Sequence, residues 1–305
     1  MPEGHSVHRI ARQFARHFSG APVAVSSPQG RFAGDAALLD GHAIVQARAV
    51  GKQMFLEFDH GLWLRVHLGL YGAWDFAGDV AIGGDGEASL SSIGAPRLTR
   101  LRMSESETPG APLETFPPEP IGQVRVRLLT PTAVADLRGP TACVVQTAEE
   151  VQSVIDRLGP DPLVDDPAVA EERFVSIVRR KPTAIALLLM DQAVVSGIGN
   201  VYRAELLFRA RQNPFAPGRE VREEVARGLW RDWAHLLRIG FDTGLMYTMD
   251  DEPAGTESSA RAKPDHWVYK RTGEPCRVCG TPIQMVELGG RKLYWCPTDQ
   301  AADQA

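Results

Sequence analysis

Residues 197–205 read Gly197-Ile198-Gly199-Asn200-Val201-Tyr202-Arg203-Ala204-Glu205. Two glycines within three positions make a tight turn between helical patterns. Its backbone N–H groups form an anion-binding nest, and the dipole of the following helix adds to it. Asn200 can also donate to a phosphate. Around this turn lie Arg173, Arg179, Arg180, Lys181, Arg203, Arg209 and Arg211, opposed in 173–212 only by Asp191 and Glu205, a surplus of five positive charges. Cations clustered around an N–H nest suit a nucleic-acid backbone. A plain glycine turn is the bland alternative.

The flanking segments are helical. Phe174, Ile177 and Val178 suit one helix, Ala184 to Met190 another, and Ala204, Leu207 and Phe208 a third. Residues 219–240 carry Val221, Val225, Leu229, Trp233, Leu236 and Leu237 on one face. Upstream, 149–172 is acidic, with eight carboxylates against Arg157, and marks the passage into this helical region. Farther upstream the period changes. Leu62, Leu64, Val66 and Leu68 alternate with Trp63, Arg65 and His67, and Val124, Val126 and Leu128 alternate with Arg125 and Arg127. That is a strand pattern, and the region reads as a β-sandwich. A helix over 6–18, with Ser6 as N-cap, precedes it. The stretch from Gly78 to Pro120, including Gly83-Gly84-Asp85-Gly86 and Thr115-Phe116-Pro117-Pro118, reads largely as a loop. Residues 250–265 read as a linker.

The chain has 305 residues, 44% hydrophobic and 23% charged, with a net charge of −5. That length suits two or more domains, and the charge excludes a uniformly basic binder. Four cysteines exclude a disulfide scaffold. Cys143 stands alone as a buried thiol. The other three fall in Cys276-x2-Cys279-x16-Cys296-x2-Asp299, the spacing of a two-knuckle zinc ribbon. Asp299, His266 or water completes the tetrahedron, or the module folds without zinc. Residues 261–296 carry seven cations against Asp265, Glu274 and Glu287, and Arg291 follows Gly289-Gly290 at a hairpin tip. Met1-Pro2-Glu3-Gly4-His5 lacks the features of a signal peptide, and no apolar run is long enough for a membrane helix. The cytoplasm is the expected compartment.

Three further features carry chemistry. With Met1 removed, Pro2 is a secondary amine, nucleophilic near neutral pH and able to form an iminium. Glu3 beside it can move protons. Lys52, after Gly51, projects from a turn as an acid or phosphate ligand. In His67-Leu68-Gly69-Leu70-Tyr71-Gly72, Leu70 and Tyr71 either wedge into a base stack or belong to the core.

Taken together, Pro2-Glu3-Gly4, Gly51-Lys52, His67 to Tyr71, Lys181 to Asp191, the 197–205 segment, and Gly290-Arg291 running into Tyr294-Trp295-Cys296-Pro297 resemble the Fpg/Nei family of bifunctional DNA glycosylases. The Pro2-Glu3-Gly4-His5 start and Leu70-Tyr71 resemble the endonuclease VIII branch, and its actinobacterial second type. The resemblance implies an α+β multidomain fold. Its parts are a catalytic β-sandwich with a flanking helix (1–140), a helix–two-turns–helix DNA-binding domain (141–260) and a zinc-finger hairpin (261–305). It implies catalysis by Pro2, Glu3, Lys52 and Arg291, and DNA contacts from His67, Leu70, Tyr71, Lys181, Asn200 and Arg291. One structural Zn²⁺ on Cys276, Cys279, Cys296 and Asp299 is implied, with a monomer as the working form and damaged DNA as partner. The implied activity is removal of oxidised bases, pyrimidines above all, with strand cutting by β,δ-elimination in base excision repair. The chain departs from the family at Asp299, where a cysteine is usual, and at Gly69, where the branch often has a larger side chain. Those departures keep open a catalytically silent damage-binding protein of the same fold. A protein-binding zinc-ribbon module is the third reading.

Overall fold

The computed structural model describes residues 2–80, 99–105, 107–110, 113, 115–249 and 265–301. They fall into two compact units, 1–157 with 241–244, and 158–240 with 245–305.

The first unit opens with α1 (Gly4–His17), which buries Val7, Ile10, Ala11 and Phe14. The helix starts earlier than its apolar spacing predicts, because the Glu3 carbonyl already accepts from the N–H groups of Ser6 and Val7 at 3.1 and 3.3 Å. Glu3, not Ser6, is the N-cap, and the Ser6 hydroxyl donates back to the same carbonyl at 2.9 Å. There follow β1 (Ala24–Ser26), α2 (Ala33–Leu39), β2 (Ile44–Val50), β3 (Gln53–Phe58), β4 (Trp63–His67), β5 (Ala73–Gly78), β6 (Thr99–Met103), β7 (Glu107–Pro109), β8 (Val124–Leu129), β9 (Ala133–Arg138), β10 (Ala142–Gln146) and α3 (Ala148–Ile155). One antiparallel sheet has the order β1-β8-β9-β5-β6-β7 and the other β10-β4-β3-β2. Between them the rings of Phe14, Phe18, Trp74 and Phe76 pack edge to face or tilted, with centroids 4.8–6.2 Å apart.

Part of the stretch 78–120, read largely as loop, is strand: β6 and β7 extend the larger sheet, and Leu101 and Met103 are buried in the core. Residues 81–98 lie outside the described residues. The first compact unit runs past 140, where the sequence reading ended its first domain, to 157, and within it β10 pairs with β4 in register Cys143 to Val66. The predicted polar face of β8 is also partly interior. Arg127 lies opposite Asp136 on β9 and donates to both carboxylate oxygens at 2.7 Å. Both residues are buried.

The second unit contains α4 (Pro167–Arg180), α5 (Ile185–Leu188), α6 (Asn200–Arg209), a single 3₁₀ turn at Gly218–Glu220, α7 (Glu223–Thr243, whose last residues cluster with the first unit), β11 (Gln284–Leu288) and β12 (Arg291–Trp295). α4 begins where Asp166 accepts from the N–H groups of Ala168 and Val169, with Pro167 in the first helical turn. The helical core gathers Phe174, Val178, Tyr202, Leu206, Trp230 and Trp233. The acidic charge upstream is partly neutralised within the fold: Glu171 accepts from Arg227 and Arg231, and Glu172 from Arg227. The β11–β12 hairpin is grouped with this unit. Most of the expected linker, 250–264, lies outside the described residues. Among the described residues no helix is long and apolar enough to cross a membrane.

Candidate active site and metal centre

In the first unit the site is a consequence of helix–strand matching. After α1, Gly20 N–H donates to the Ile44 carbonyl at 3.0 Å, which fixes the C-terminal end of α1 beside the start of β2. α1 packs along β2. Its 14 residues and the 7 of β2 both span about 20 Å at 1.5 and 3.3 Å per residue. From its C-terminal end the helix runs back along β2, with Pro2 and Glu3 at its other end. The β2–β3 tip is a two-residue turn between Val50 and Gln53, with Gly51 at φ +57. A positive φ in the first turn position is what a type II′ hairpin asks of glycine. It leaves Lys52 only 8% exposed. In the next ladder Gln53 faces His67, so Lys52 and His67 belong to the same end of the sheet.

This end is buried and cationic. Pro2 and Glu3 are buried, Glu3 to 1% exposure. Burial, reinforced by the Arg9 charge, lowers His5 to about 3. Burial and then the charges of Lys52 and Arg65 lower His67. Both rings are held towards their neutral forms. Two residues past His67 the chain turns outward. Gly72 N–H donates to the Leu68 carbonyl at 3.1 Å, and Thr141 N–H to the His67 carbonyl at 2.9 Å. Leu70 is 45% and Tyr71 84% exposed, so both stand out from the core rather than joining it. Gly69 has φ +68, and a Cβ there would lie 1.8 Å from the Thr141 Oγ1. Any side chain there would have to displace the Thr141 hydroxyl.

In the second unit, Gly197 turns the chain at φ +93 and Gly199 is the N-cap of α6 without a side-chain cap. The Asn200 amide already donates to the Lys292 carbonyl at 2.9 Å, and Arg203 donates to Asn200 Oδ1 and to the same carbonyl. Several of the cations counted in the sequence are therefore structural. Arg203 is buried, Arg209 grips Asp232 with two bonds of 2.7 and 2.9 Å, and Arg179 pairs with Glu223 at 2.8 Å. Lys181 stays half exposed, 3.9 Å from Asp191. Arg291 begins β12 after a two-residue turn in which Gly289 and Gly290 take φ +61 and +70. Paired positive φ values mark a type I′ turn, which puts Arg291 at a defined tip.

Sequence reasoning placed Glu205 at the end of the 197–205 segment without giving it a role, and in the structure it accepts from four donors. Fully buried, it accepts from Thr248 Oγ1 (2.7 Å) and from the N–H groups of Trp267 (2.8 Å), Val268 (3.0 Å) and Tyr269 (2.9 Å). It ties α6 to the segment that leads into the cysteine module. A glutamate on an otherwise apolar helix face was the available signal.

The cysteine module meets the demands of zinc. One donor atom from each of Cys276, Cys279, Cys296 and Asp299 lies within 4.8 Å of the others. Asp299 Oδ2 is 3.0 Å from Cys276 Sγ and 3.3 Å from Cys296 Sγ, and Cys279 and Cys296 sulfurs are 3.4 Å apart. A tetrahedron with Zn–S bonds of about 2.3 Å has edges of about 3.8 Å. N–H groups of Val278 and Asp299 point at the Cys276 and Cys296 sulfurs, as metal-binding knuckles require. Burial foremost, with the neighbouring Cys279 and Asp299 side chains adding to it, pushes Cys296 up to about 12, a cost that a bound cation offsets by holding the thiolate. His266 is outside this quartet, engaged with Thr248 Oγ1 at 3.1 Å.

Comparisons with known proteins agree with this geometry. Three family models match: the formamidopyrimidine-DNA glycosylase N-terminal domain over residues 1–115, the formamidopyrimidine-DNA glycosylase H2TH domain over 158–250, and the zinc finger found in FPG and IleRS over 273–302. "Endonuclease 8 1" of Mycobacterium tuberculosis is 41% identical over 98% of this chain and 100% of its own length. That relative carries the number 1, whereas the motif resemblance points to the second type. The formamidopyrimidine-DNA glycosylase of Methylococcus capsulatus is 30% identical over 98% of this chain and 100% of its own. The solved structure of the MutM (Fpg) protein from Thermus thermophilus superposes with a TM-score of 0.69 at 25% identity, covering 99% of this chain and 100% of that one. A Lactococcus lactis Fpg complex with abasic-site DNA shares the fold at 18% identity, with a TM-score of 0.69 over 98% of this chain and 100% of that one. The finger holds a Cys276, Cys279, Cys296 and Asp299 cluster of the kind that binds structural zinc, and the chain belongs to the Fpg/Nei family of bifunctional DNA glycosylase/AP lyases.

Proposed function

We propose that the chain excises oxidised pyrimidines from DNA through Pro2, and that Glu3, Lys52 and Arg291 act with it. The observation that supports this reading is the burial of Pro2 and Glu3 at the head of α1, a helix that packs along β2, the strand that leads into the turn carrying the buried Lys52. Removal of Met1 frees the Pro2 nitrogen. The position ahead of α1 disfavours its protonated form. The nitrogen attacks C1′ of the damaged nucleotide, the bond from C1′ to the base breaks, and the base leaves with a proton. The C1′–O4′ bond then breaks, O4′ takes a proton, and the opened sugar is held as an iminium that acidifies the C2′ hydrogens. Loss of one expels the 3′-phosphate, and a second elimination expels the 5′-phosphate. Glu3 moves the protons and Lys52 contacts the sugar or its phosphate. Leu70 and Tyr71, the exposed pair, fill the space left when the nucleotide leaves the stack, a step that costs a few kcal/mol. Asn200, Lys181 and Arg291 hold phosphates of the damaged strand, and His67 supports the site beside Lys52. The working form is a monomer in the cytoplasm.

A silent binding protein has no separate support. Asp299 completes a metal quartet, and Gly69 meets the packing of Thr141. Borohydride should trap the protein, shown by mass to lack Met1, on DNA carrying 5-hydroxyuracil or an abasic site. Pro2→Gly should trap more slowly. Tight lesion binding by the mature wild type with no adduct and no incision would overturn the reading. Incision of 8-oxoguanine well above thymine glycol and 5-hydroxypyrimidines would move the substrate class to purines.

A further inference from the structure

The other end of the four-stranded sheet holds a second cluster of metal-ligating groups. His42 precedes β2, and Asp59 and His60 form the β3–β4 turn. β3 runs its six residues from Gln53 to Phe58, so this cluster lies about 20 Å from the Lys52 tip. Asp59 Oδ1 is 2.7 Å from His42 Nδ1 and 3.7 Å from His60 Nδ1. One donor atom from each residue falls within 4.8 Å of the others.

The surroundings of the three groups orient them. Asp59 Oδ2 accepts from Ala43 N–H at 3.2 Å, which fixes the carboxylate plane. His60 Nε2 is 2.9 Å from the Leu38 carbonyl. A carbonyl only accepts, so Nε2 carries the hydrogen and the Nδ1 lone pair of the neutral ring faces Asp59. A backbone carbonyl bound to the far ring nitrogen is the arrangement that positions histidine ligands in metal sites. The His42 and His60 rings stack, with centroids 3.7 Å apart and planes 15° from parallel. Side chains of His42, Asp59 and His60 are 40, 46 and 25% exposed, so a hydrated ion reaches them directly.

We propose that His42, Asp59 and His60 bind a divalent transition-metal ion, apart from the zinc of the finger. Two imidazoles and one carboxylate suit Zn²⁺, Ni²⁺ or Cu²⁺, whereas Mg²⁺ and Ca²⁺ prefer oxygen donors throughout. Binding replaces the hydrogen between His42 Nδ1 and Asp59 Oδ1: the proton leaves Nδ1 for solvent, Nε2 takes one up so that the ring stays a neutral imidazole, and a metal–nitrogen bond forms at Nδ1. Ligand bonds of about 2.0–2.1 Å draw the two Nδ1 atoms onto one ion and splay the stacked rings. The fourth position is left to water. The ion ties the entry to β2 to the β3–β4 turn.

Equilibrium dialysis of the full chain against buffered micromolar Zn²⁺, followed by metal analysis, tests the site. Wild type should hold two zinc ions per chain, and H60A and D59N one, with at least tenfold weaker uptake of the second. In side-chain NMR of histidine-labelled wild type, Zn²⁺ beyond the first equivalent should shift His42 and His60 together. A single zinc per wild-type chain, or a second ion that survives both substitutions, would overturn the proposal.

Discussion

Gly69 and Tyr71 are two residues apart, yet substitution acts on them in opposite ways. Gly69 is held at φ +68 with the Thr141 hydroxyl in the space of a Cβ. Gly69→Ala should cost about 1–3 kcal/mol of stability in urea unfolding, through the left-handed backbone and the displaced threonine. Tyr71, 84% exposed, should tolerate alanine within about 0.5 kcal/mol and lose activity on duplex rather than single-stranded lesions. His5 gives a pH signature. Burial lowers it from 6.5 to about 3, so between these values the unfolded chain binds a proton that the folded chain refuses. The associated stability is full above pH 6.5 and is lost progressively as pH falls towards 3. Denaturation at pH 7 and pH 5 should show wild type losing more stability than His5→Gln over that interval; equal losses would count against it. Sequence alone left Leu70-Tyr71 between core and wedge, because alternation cannot tell a strand's last residues from the loop that leaves it.

Elements in this fold are held by a few buried carboxylates that no periodicity reveals. Glu205 serves four donors from segments 43 to 64 residues away. Glu205→Ala strands three backbone N–H groups, each worth about 1–3 kcal/mol when left unsatisfied in the interior. We expect a loss above about 3 kcal/mol in thermal or urea unfolding of the holoprotein, and only partial recovery with Glu205→Gln. The repeating period made α1, α4, α6, α7 and the β4 and β8 strands legible. It missed β6, because Leu101 and Met103 are a short alternation next to a Gly- and Ser-rich stretch. It set the start of α1 too late, since a backbone carbonyl rather than a hydroxyl begins that helix. The metal spacing was legible from Cys276 to Asp299. The choice of Asp299 over His266 was not, because it depends on which side chain Thr248 engages.

At the scale of the molecule, the net charge of −5 is a poor guide to the binding surface. Much of the basic surplus read from 173–212 is consumed by internal pairs at Arg179, Arg203 and Arg209. Among the described residues the Arg291 side chain makes no ion pair or hydrogen bond, although its backbone is paired with Leu288 in the hairpin. Arg291→Ala should weaken DNA binding across sequences, and should make the slope of log K against log salt shallower by about one. An unchanged slope would remove Arg291 from the phosphate contacts. Segment counts found the right units, but charge alone does not separate cations that fold the protein from those that meet its partner. That distinction needs the positions of Asp232, Glu223 and the Lys292 carbonyl.

The turn from His67 to Gly72 bears on how such a protein searches intact DNA. Its base is pinned by the Gly72–Leu68 and Thr141–His67 bonds and by the fit of Gly69 to Thr141, while Leu70 and Tyr71 project from it. In the wedge role proposed for that pair, the probe arrives already shaped and has little ordering entropy left to lose. Sampling successive base pairs then repeats no folding step on the protein side. The tempo of inspection is set by how readily each base parts from its neighbours, and weakly stacked lesions are singled out by the DNA's own mechanics.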